Sequence, residues 1–283
     1  MKRRPLLLLS LTITVALAGA WPMTALAASL PRLGTATNFA VLAGSTITNT
    51  GPTTINGDFG LHPGTAVTGF PPGIINGASH ITDAVALQAK NDLVTAYNDT
   101  ASQTPFVDLT GKDLGNLNLT PGVYRFSSSA QLTGPLTLSG FGTFIFQIGS
   151  SLTTASASSV ILTNGAQACG VYWQVTSSAT FGSTTAFQGT VMALSSITMN
   201  AGATIIGRAL ARNGALTTIQ NTITRPAASC ASLPFTGGPS LPFTGVPLEL
   251  RGGFPWQLVL IGVGGGLGAL ALGFSVRARR RTA

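Results

Sequence analysis

Apolar and polar residues alternate along this chain in short runs that return at nearly constant intervals. Phe144-Ile145-Phe146-Gln147-Ile148 and Val171-Tyr172-Trp173-Gln174-Val175 are typical, with Ser, Gly and Asn between them. This is the pattern of short strands broken by tight turns. A threonine returns in one local frame at Thr133, Thr153, Thr180, Thr198 and Thr217, at spacings of 20, 27, 18 and 19 residues. The longest interval holds an extra Asn164-Gly165 turn before Cys169. Aligned on these threonines, Leu132, Leu152, Ala179, Ile197 and Leu216 form one apolar column. Phe126, Phe146, Trp173, Val191 and Leu210, seven residues before each threonine, form a second. Periods of roughly twenty residues fit a β-helix or leucine-rich repeats. The leucine-rich signature and its helical half are missing, so the pattern predicts a parallel β-solenoid. One coil cannot bury its apolar columns alone, but stacked coils share a continuous core. The threonine beside each buried column then faces outward.

Leu33 to Gly60 reads as further coils, with strand-like Phe39-Ala40-Val41-Leu42 and Ser45-Thr46-Ile47-Thr48 broken by Asn49-Thr50-Gly51 and Asn56-Gly57-Asp58. His80 to Ser102 differs. Ile81, Val85, Leu93 and Tyr97, with Ala84, Ala89 and Ala96, recur at helical spacing, while Asp83, Lys90, Asp92 and Asp99 fall off that stripe. One amphipathic helix is expected over about 81–101, capped by Ser79 or Thr82 and ended before Pro105. As the one such helix, it is expected to cover a side of the solenoid.

The two ends of the chain add a processing and anchoring pattern. Met1-Lys2-Arg3-Arg4 precedes an apolar run from Leu6 to Ala20, and Ala25-Leu26-Ala27 offers a cleavage site, so 1–27 reads as a secretory signal. The solenoid domain is expected over 28–226, followed by a Pro/Gly-rich linker over 227–253. That linker contains Leu233-Pro234-Phe235-Thr236-Gly237 and Leu241-Pro242-Phe243-Thr244-Gly245. A spanning segment is read at 254–276, its apolar stretch running from Leu258 to Val276, with a basic tail at 277–283. Both pentapeptides resemble the Leu-Pro-x-Thr-Gly sorting signal cut by sortases of Gram-positive bacteria. The resemblance implies cleavage after Thr and transfer of its carbonyl to a peptidoglycan amine. Thr244, nearer the membrane segment, is favoured over Thr236. A cell-wall or cell-surface location follows, with membrane attachment before sorting.

The formal charge of +8 lies mostly in the two ends. Ala28 to Thr244 holds Arg32, Lys90, Lys112, Arg125, Arg208, Arg212 and Arg225 against six aspartates, a net of +1. Phosphate binding needs a clustered basic surface, so no nucleic-acid partner is expected. No carboxylate occurs between Asp113 and Glu249, which leaves the repeats without the acids that glycoside-cleaving or calcium-binding sites use. His62 and His80 lack metal-pair spacing, and no Gly-x-Ser-x-Gly elbow is present, so neither an enzyme nor a cofactor is expected. Cys169 and Cys230 are the two cysteines of an exported segment and are expected to pair, stabilising by about 4 kcal/mol in the chain-entropy model.

Leu33-Gly34-Thr35-Ala36-Thr37-Asn38-Phe39-Ala40-Val41-Leu42-Ala43, Asn56-Gly57-Asp58-Phe59-Gly60, Pro63-Gly64, Pro121-Gly122-Val123-Tyr124 and Gly207-Arg208-Ala209-Leu210-Ala211 together resemble the microbial ice-binding protein family. The likeness runs from Leu33 to Pro226. It implies a discontinuous right-handed β-solenoid of triangular section with a long helix along one side, and a flat face that meets the ice crystal surface. Members of this family sometimes carry Thr-(Ala/Gly)-x-(Thr/Asn) there. Thr65-Ala66-Val67-Thr68 matches in full; Thr154-Ala155-Ser156-Ala157 and Ala201-Gly202-Ala203-Thr204 match in part. The candidate ice contacts are therefore Thr65, Thr68, Thr133, Thr153, Thr154, Thr180, Thr185, Thr198, Thr204 and Thr217. Neighbouring coils about 4.8 Å apart and same-face residues about 6.6 Å apart give spacings comparable to those of hexagonal ice. The ladder and the Thr-Ala-x-Thr segments leave the binding face open. The alternative is a wall-anchored adhesin or polysaccharide-binding protein without ice affinity, a reading that the inward column of Trp173 disfavours.

Overall fold

The computed structural model describes residues 28–226. The signal segment 1–27, the linker with both sorting motifs, Cys230, the spanning segment 254–276 and the tail lie outside the described residues. Among the described residues, no helix is long and apolar enough to cross a membrane.

All of the strand pairings are parallel. They form one seven-stranded sheet and one fifteen-stranded sheet, and the latter turns a corner to supply two faces. Each coil thus runs through a helix-covered face, the seven-stranded sheet and a third face. Two strands, Ala186–Ala193 and Thr204–Ala211, continue unbroken around the corner between the third and helix-covered faces. Glycines permit the bend there: a Cβ on Gly207 would lie 1.8 Å from the Gly189 carbonyl oxygen.

Chain order and spatial order differ. The last coil stacks on the first, with Ala209 beside Val41, Thr217 beside Thr48 and Ile223 beside Ile55. After the strand Ser79–Ile81, the chain returns to the opposite end, where Val107–Asp108 pairs with Gly122–Phe126. Between those ends lie eight strand steps, about 38 Å at the usual strand separation. The helix α1 (Ala84–Ala101) has 18 residues and covers about 27 Å of this distance. The extended segment from Ser102 to Phe106 carries the chain over the rest.

The helix begins later than its apolar pattern predicts. Ser79 to Ile81 is strand, and the cap is Asp83, whose carboxylate accepts from the Ala86 amide at 2.8 Å. That amide, and then His80, hold the Asp83 carboxyl below its ordinary pKa. The buried stripe is Ala86, Ala89, Lys90, Leu93, Ala96, Tyr97 and Thr100, whereas Val85 is exposed. Helical phase explains the correction: 86, 89, 90, 93, 96, 97 and 100 step by three and four, and Val85 sits one residue off. Lys90 lies inside this stripe because its ammonium finds carbonyls to donate to, that of Ala211 at 2.7 Å and that of Arg212. Burial, then the charge of Arg212, pushes its pKa down to about 8.

Two apolar clusters result. The solenoid interior stacks Tyr124, Phe146 and Trp173, with the Phe146 and Trp173 rings 3.9 Å apart and nearly parallel. Trp173 is fully buried, and its indole donates to the Gln188 carbonyl at 3.0 Å. The second cluster joins α1 to Phe39, Leu42, Val123, Ile145, Tyr172, Met192 and Leu210 on the outside of the covered face. Register corrects both predicted columns. Phe146 and Trp173 align with Tyr124, Val191 and Ala209, while Phe126 aligns with Ile148 and Leu210 points at the helix. Ala130, not Leu132, aligns with Leu152, Ala179, Ile197 and Leu216. Corners differ in length: three residues lie between Ala193 and Ile197 and four between Ala211 and Leu216. A fixed count back from the threonine therefore slips out of frame.

Candidate functional site

The seven-stranded sheet is built from Thr46–Thr50, Ala66–Thr68, Ala130–Leu132, Leu152–Thr154, Ala179–Phe181, Ile197–Met199 and Leu216–Ile219. In each strand the inward residue before the outward one is apolar, namely Ala130, Leu152, Ala179, Ile197, Leu216, Ile47 or Val67, so the alternation of the strand sends the next residue out. Register makes those outward residues one straight column: Gln131, Thr153, Thr180, Thr198, Thr217, Thr48 and Thr68. Six threonines occupy six successive coils. The positions two residues earlier are Ser151, Ser178, Ser196, Ala215, Thr46 and Ala66, all small. No charged residue occurs in any of the seven strands. The face is level because no side chain in these two columns is longer than threonine, apart from the terminal Gln131.

Threonine suits such a column. Its branched Cβ restricts χ1, and its hydroxyl both donates and accepts. Thr48, Thr68 and Thr153 are exposed, while Thr180, Thr198 and Thr217 are half-buried between their neighbours. Beyond Gln131 the column ends at Asp113, which forms an isolated bridge with it. Burial disfavours the charge of Asp113, but hydrogen bonds from Gly115 and Thr133 outweigh it and hold the carboxyl below its ordinary range.

The sequence candidates divide among several places. Thr68, Thr153, Thr180, Thr198 and Thr217 share the column. Thr133 does not; it is exposed two residues beyond Gln131, and its amide donates to Asp113 at 2.9 Å. Thr65 is exposed in the turn before Ala66–Thr68. Thr154 and Thr185 are buried and joined hydroxyl to hydroxyl at 2.9 Å, which corrects their reading as surface contacts. Thr204 is exposed on the third face. Thr48 was missed because the repeat frame was built from the C-terminal coils. Its strand enters this sheet through the stacking of chain ends, which no local spacing reveals.

Thr154 and Thr185 belong to a buried polar seam along the corner between the seven-stranded sheet and the third face. Thr218 donates to the Asn49 side-chain oxygen at 3.0 Å, and Asn49 donates to the carbonyls of Gly51 and Gly69. Asn221 donates to the carbonyls of Asn200 and Ala203. Buried polar groups that are fully paired fix local geometry, so this corner is rigid. Of the two partial motifs, the one at Thr154 lies in this seam, while the one at Ala201 ends on Thr204, exposed on the third face.

Elsewhere the titratable residues are structural. His80 pairs with Asp83 at 2.7 Å, and Asp58 accepts from the Ala78 amide at 3.0 Å. Among the described residues, no group of three or more His, Cys, Asp or Glu could hold a metal ion. Cys169 is disulfide-bonded, and the sequence has one other cysteine, Cys230.

The sequence model of the ice-binding-like family matches residues 41–224. The chain belongs to this family. An ice-binding protein of Nostoc sp. (strain HG1) is 56% identical over 202 residues, covering 70% of this chain and 75% of that protein. One of Flavobacterium frigoris (strain PS1) is 36% identical over 213 residues, covering 70% and 77%. Among solved structures, an ice binding protein from an Antarctic biological consortium superposes with a TM-score of 0.70 at 51% identity, covering 72% of this chain and 95% of that one. The family fold, with its parallel sheets and single helix, is the one described above.

Proposed function

We propose that this protein adsorbs to ice through the outward column of its seven-stranded sheet, slowing ice growth or recrystallisation or holding a cell against ice. The observation that carries the reading is the register of Thr153, Thr180, Thr198, Thr217, Thr48 and Thr68 over six coils. Repeats of about 4.8 Å across strands and about 6.6 Å along them can hold water in a lattice-like order before contact. Preorganisation limits the entropy lost when the surface meets the crystal. Relatives named as ice-binding proteins support the same activity here. Wild-type protein is expected to give thermal hysteresis and faceted crystals, and Thr198→Tyr, which raises a ring in the middle of the level column, is expected to remove most of it. Equal hysteresis in both would sink the assignment to this sheet. If the wild type leaves ice growth unaltered, the adhesin reading takes its place.

We further propose export through 1–27 and sortase-mediated attachment to peptidoglycan at Thr244, with 254–276 spanning the membrane beforehand. The paired motifs, apolar segment and arginine tail support this in combination. Thr244→Ala is expected to leave the protein out of the wall fraction; loss of attachment in Thr236→Ala instead would move the cut to the first motif.

A further inference from the structure

We infer that the third face is a second ice-adsorbing surface, which takes a crystal plane different from that met by the seven-stranded sheet. This rests on the ice-binding reading above. The first observation is the distribution of charge. The seven basic residues and six aspartates of residues 28–226 lie on the helix-covered side, at its two bordering corners, or in the end coil near Asp113. None lies in a third-face segment: Asn118–Leu119, Pro135–Ser139, Ser159–Thr163, Thr222–Thr224, Thr54–Asn56, Ile74–Asn76 and the first halves of the two long strands. A neutral lattice of water offers no counter-charge, so a surface that docks on it must avoid hydrated ions, whose desolvation is costly. Both uncovered faces meet that condition, and the covered one does not.

The second observation is register. Thr204, Thr222, Thr54 and Ile74 align across four adjacent strands, and Ile206, Thr224, Asn56 and Asn76 align beside them. This gives a two-column array of hydroxyl and amide groups, with the exposed side chains of Ile74 and Ile206 at opposite ends of the two columns. Three of its members are tied together. Asn76 donates to the Asn56 oxygen at 2.9 Å, and Asn56 donates to the Thr224 hydroxyl at 3.0 Å. The ladder holds these side chains in single rotamers, so less freedom is lost on adsorption. The array straddles the junction of the last and first coils and is invisible as a sequence repeat.

The third observation is the angle. The polar seam of Thr154, Thr185, Asn49, Thr218 and Asn221 locks the corner between the two faces. Rigid faces of one prism cannot lie flat on a single plane together, so each must take its own.

The test uses fluorescently labelled protein adsorbed to a single-crystal ice hemisphere of known orientation. The wild type is expected to label two sets of planes. Thr198→Tyr should lose one set and Thr222→Tyr or Thr204→Tyr the other, each with an unchanged melting midpoint, and the double variant should label neither. If Thr198→Tyr is dark everywhere and both third-face variants match the wild type, this inference falls and the proposed function stands. Third-face variants that are dark while Thr198→Tyr labels normally would keep the third face and overturn the assignment to the seven-stranded sheet. If each single variant is dark everywhere, the faces act as one compound surface and the idea of two planes fails. An unlabelled wild type overturns both.

Discussion

The helix-covered face and the seven-stranded sheet are made by the same stacked coils, and they part company in what their strands turn outward. On the covered face the outward residues are Leu42, Val123, Ile145, Tyr172, Met192 and Leu210, large and apolar, and α1 buries them with Leu93, Ala96 and Tyr97. On the sheet they are threonines flanked by serine and alanine, which gain little from a cover. The inward residues beside these two columns are apolar in both. The contrast teaches that side-chain size on the outer face decides which side of a solenoid becomes core and which stays open to solvent.

The largest expected break falls on the covered side. Leu93→Asp places an unpaired carboxylate at a fully buried position, and a loss of about 4 kcal/mol is expected in denaturant unfolding. A loss below about 1 kcal/mol would mean that α1 is a loosely held cover.

A second effect comes from Lys90. Its pKa is about 8 in the folded chain against an ordinary 10.5, so between those values the unfolded chain binds a proton that the folded one does not. Stability then rises with pH across this window, and is lost as pH falls from 10.5 to 8, by roughly 3 kcal/mol. Denaturant midpoints through the window should climb for the wild type and stay flat for Lys90→Met. A flat wild-type profile would show that the carbonyls of Ala211 and Arg212 hold the amine charged.

The smallest stability effect is expected on the open sheet. Thr198→Tyr should move the unfolding free energy by less than about 0.5 kcal/mol, though it is the variant expected to remove most of the thermal hysteresis. A change above about 2 kcal/mol would mean that this column supports the fold and is not a surface kept free.

Much of this architecture was legible in the residues themselves. Alternating runs such as Phe144–Ile148 predicted strands, and the recurring threonine frame predicted stacked coils. Thr153, Thr180, Thr198 and Thr217 were found together because they lie in consecutive coils, where sequence spacing tracks spatial spacing. Thr133 was misassigned because a corner of different length moved Gln131 into the column. The sequence places Lys90 off the apolar stripe, because the carbonyls that admit its ammonium come from residues more than a hundred positions away.

The sequence by itself determined the coil: its strands, its turns, its buried column and the hydroxyl beside it, since these depend on alternation and local conformation. It also set the charge apart from the repeats. Tertiary structure decided the order of the coils, the entry of Thr48 and Thr68 into the column, the burial of Thr154 and Thr185, and which face α1 would cover. Those outcomes depend on contacts between residues far apart in the chain. Lateral hydrogen bonding between parallel strands accepts any coil whose apolar column fits the one beneath, so stacking order follows the return path of the helix and not the local pattern.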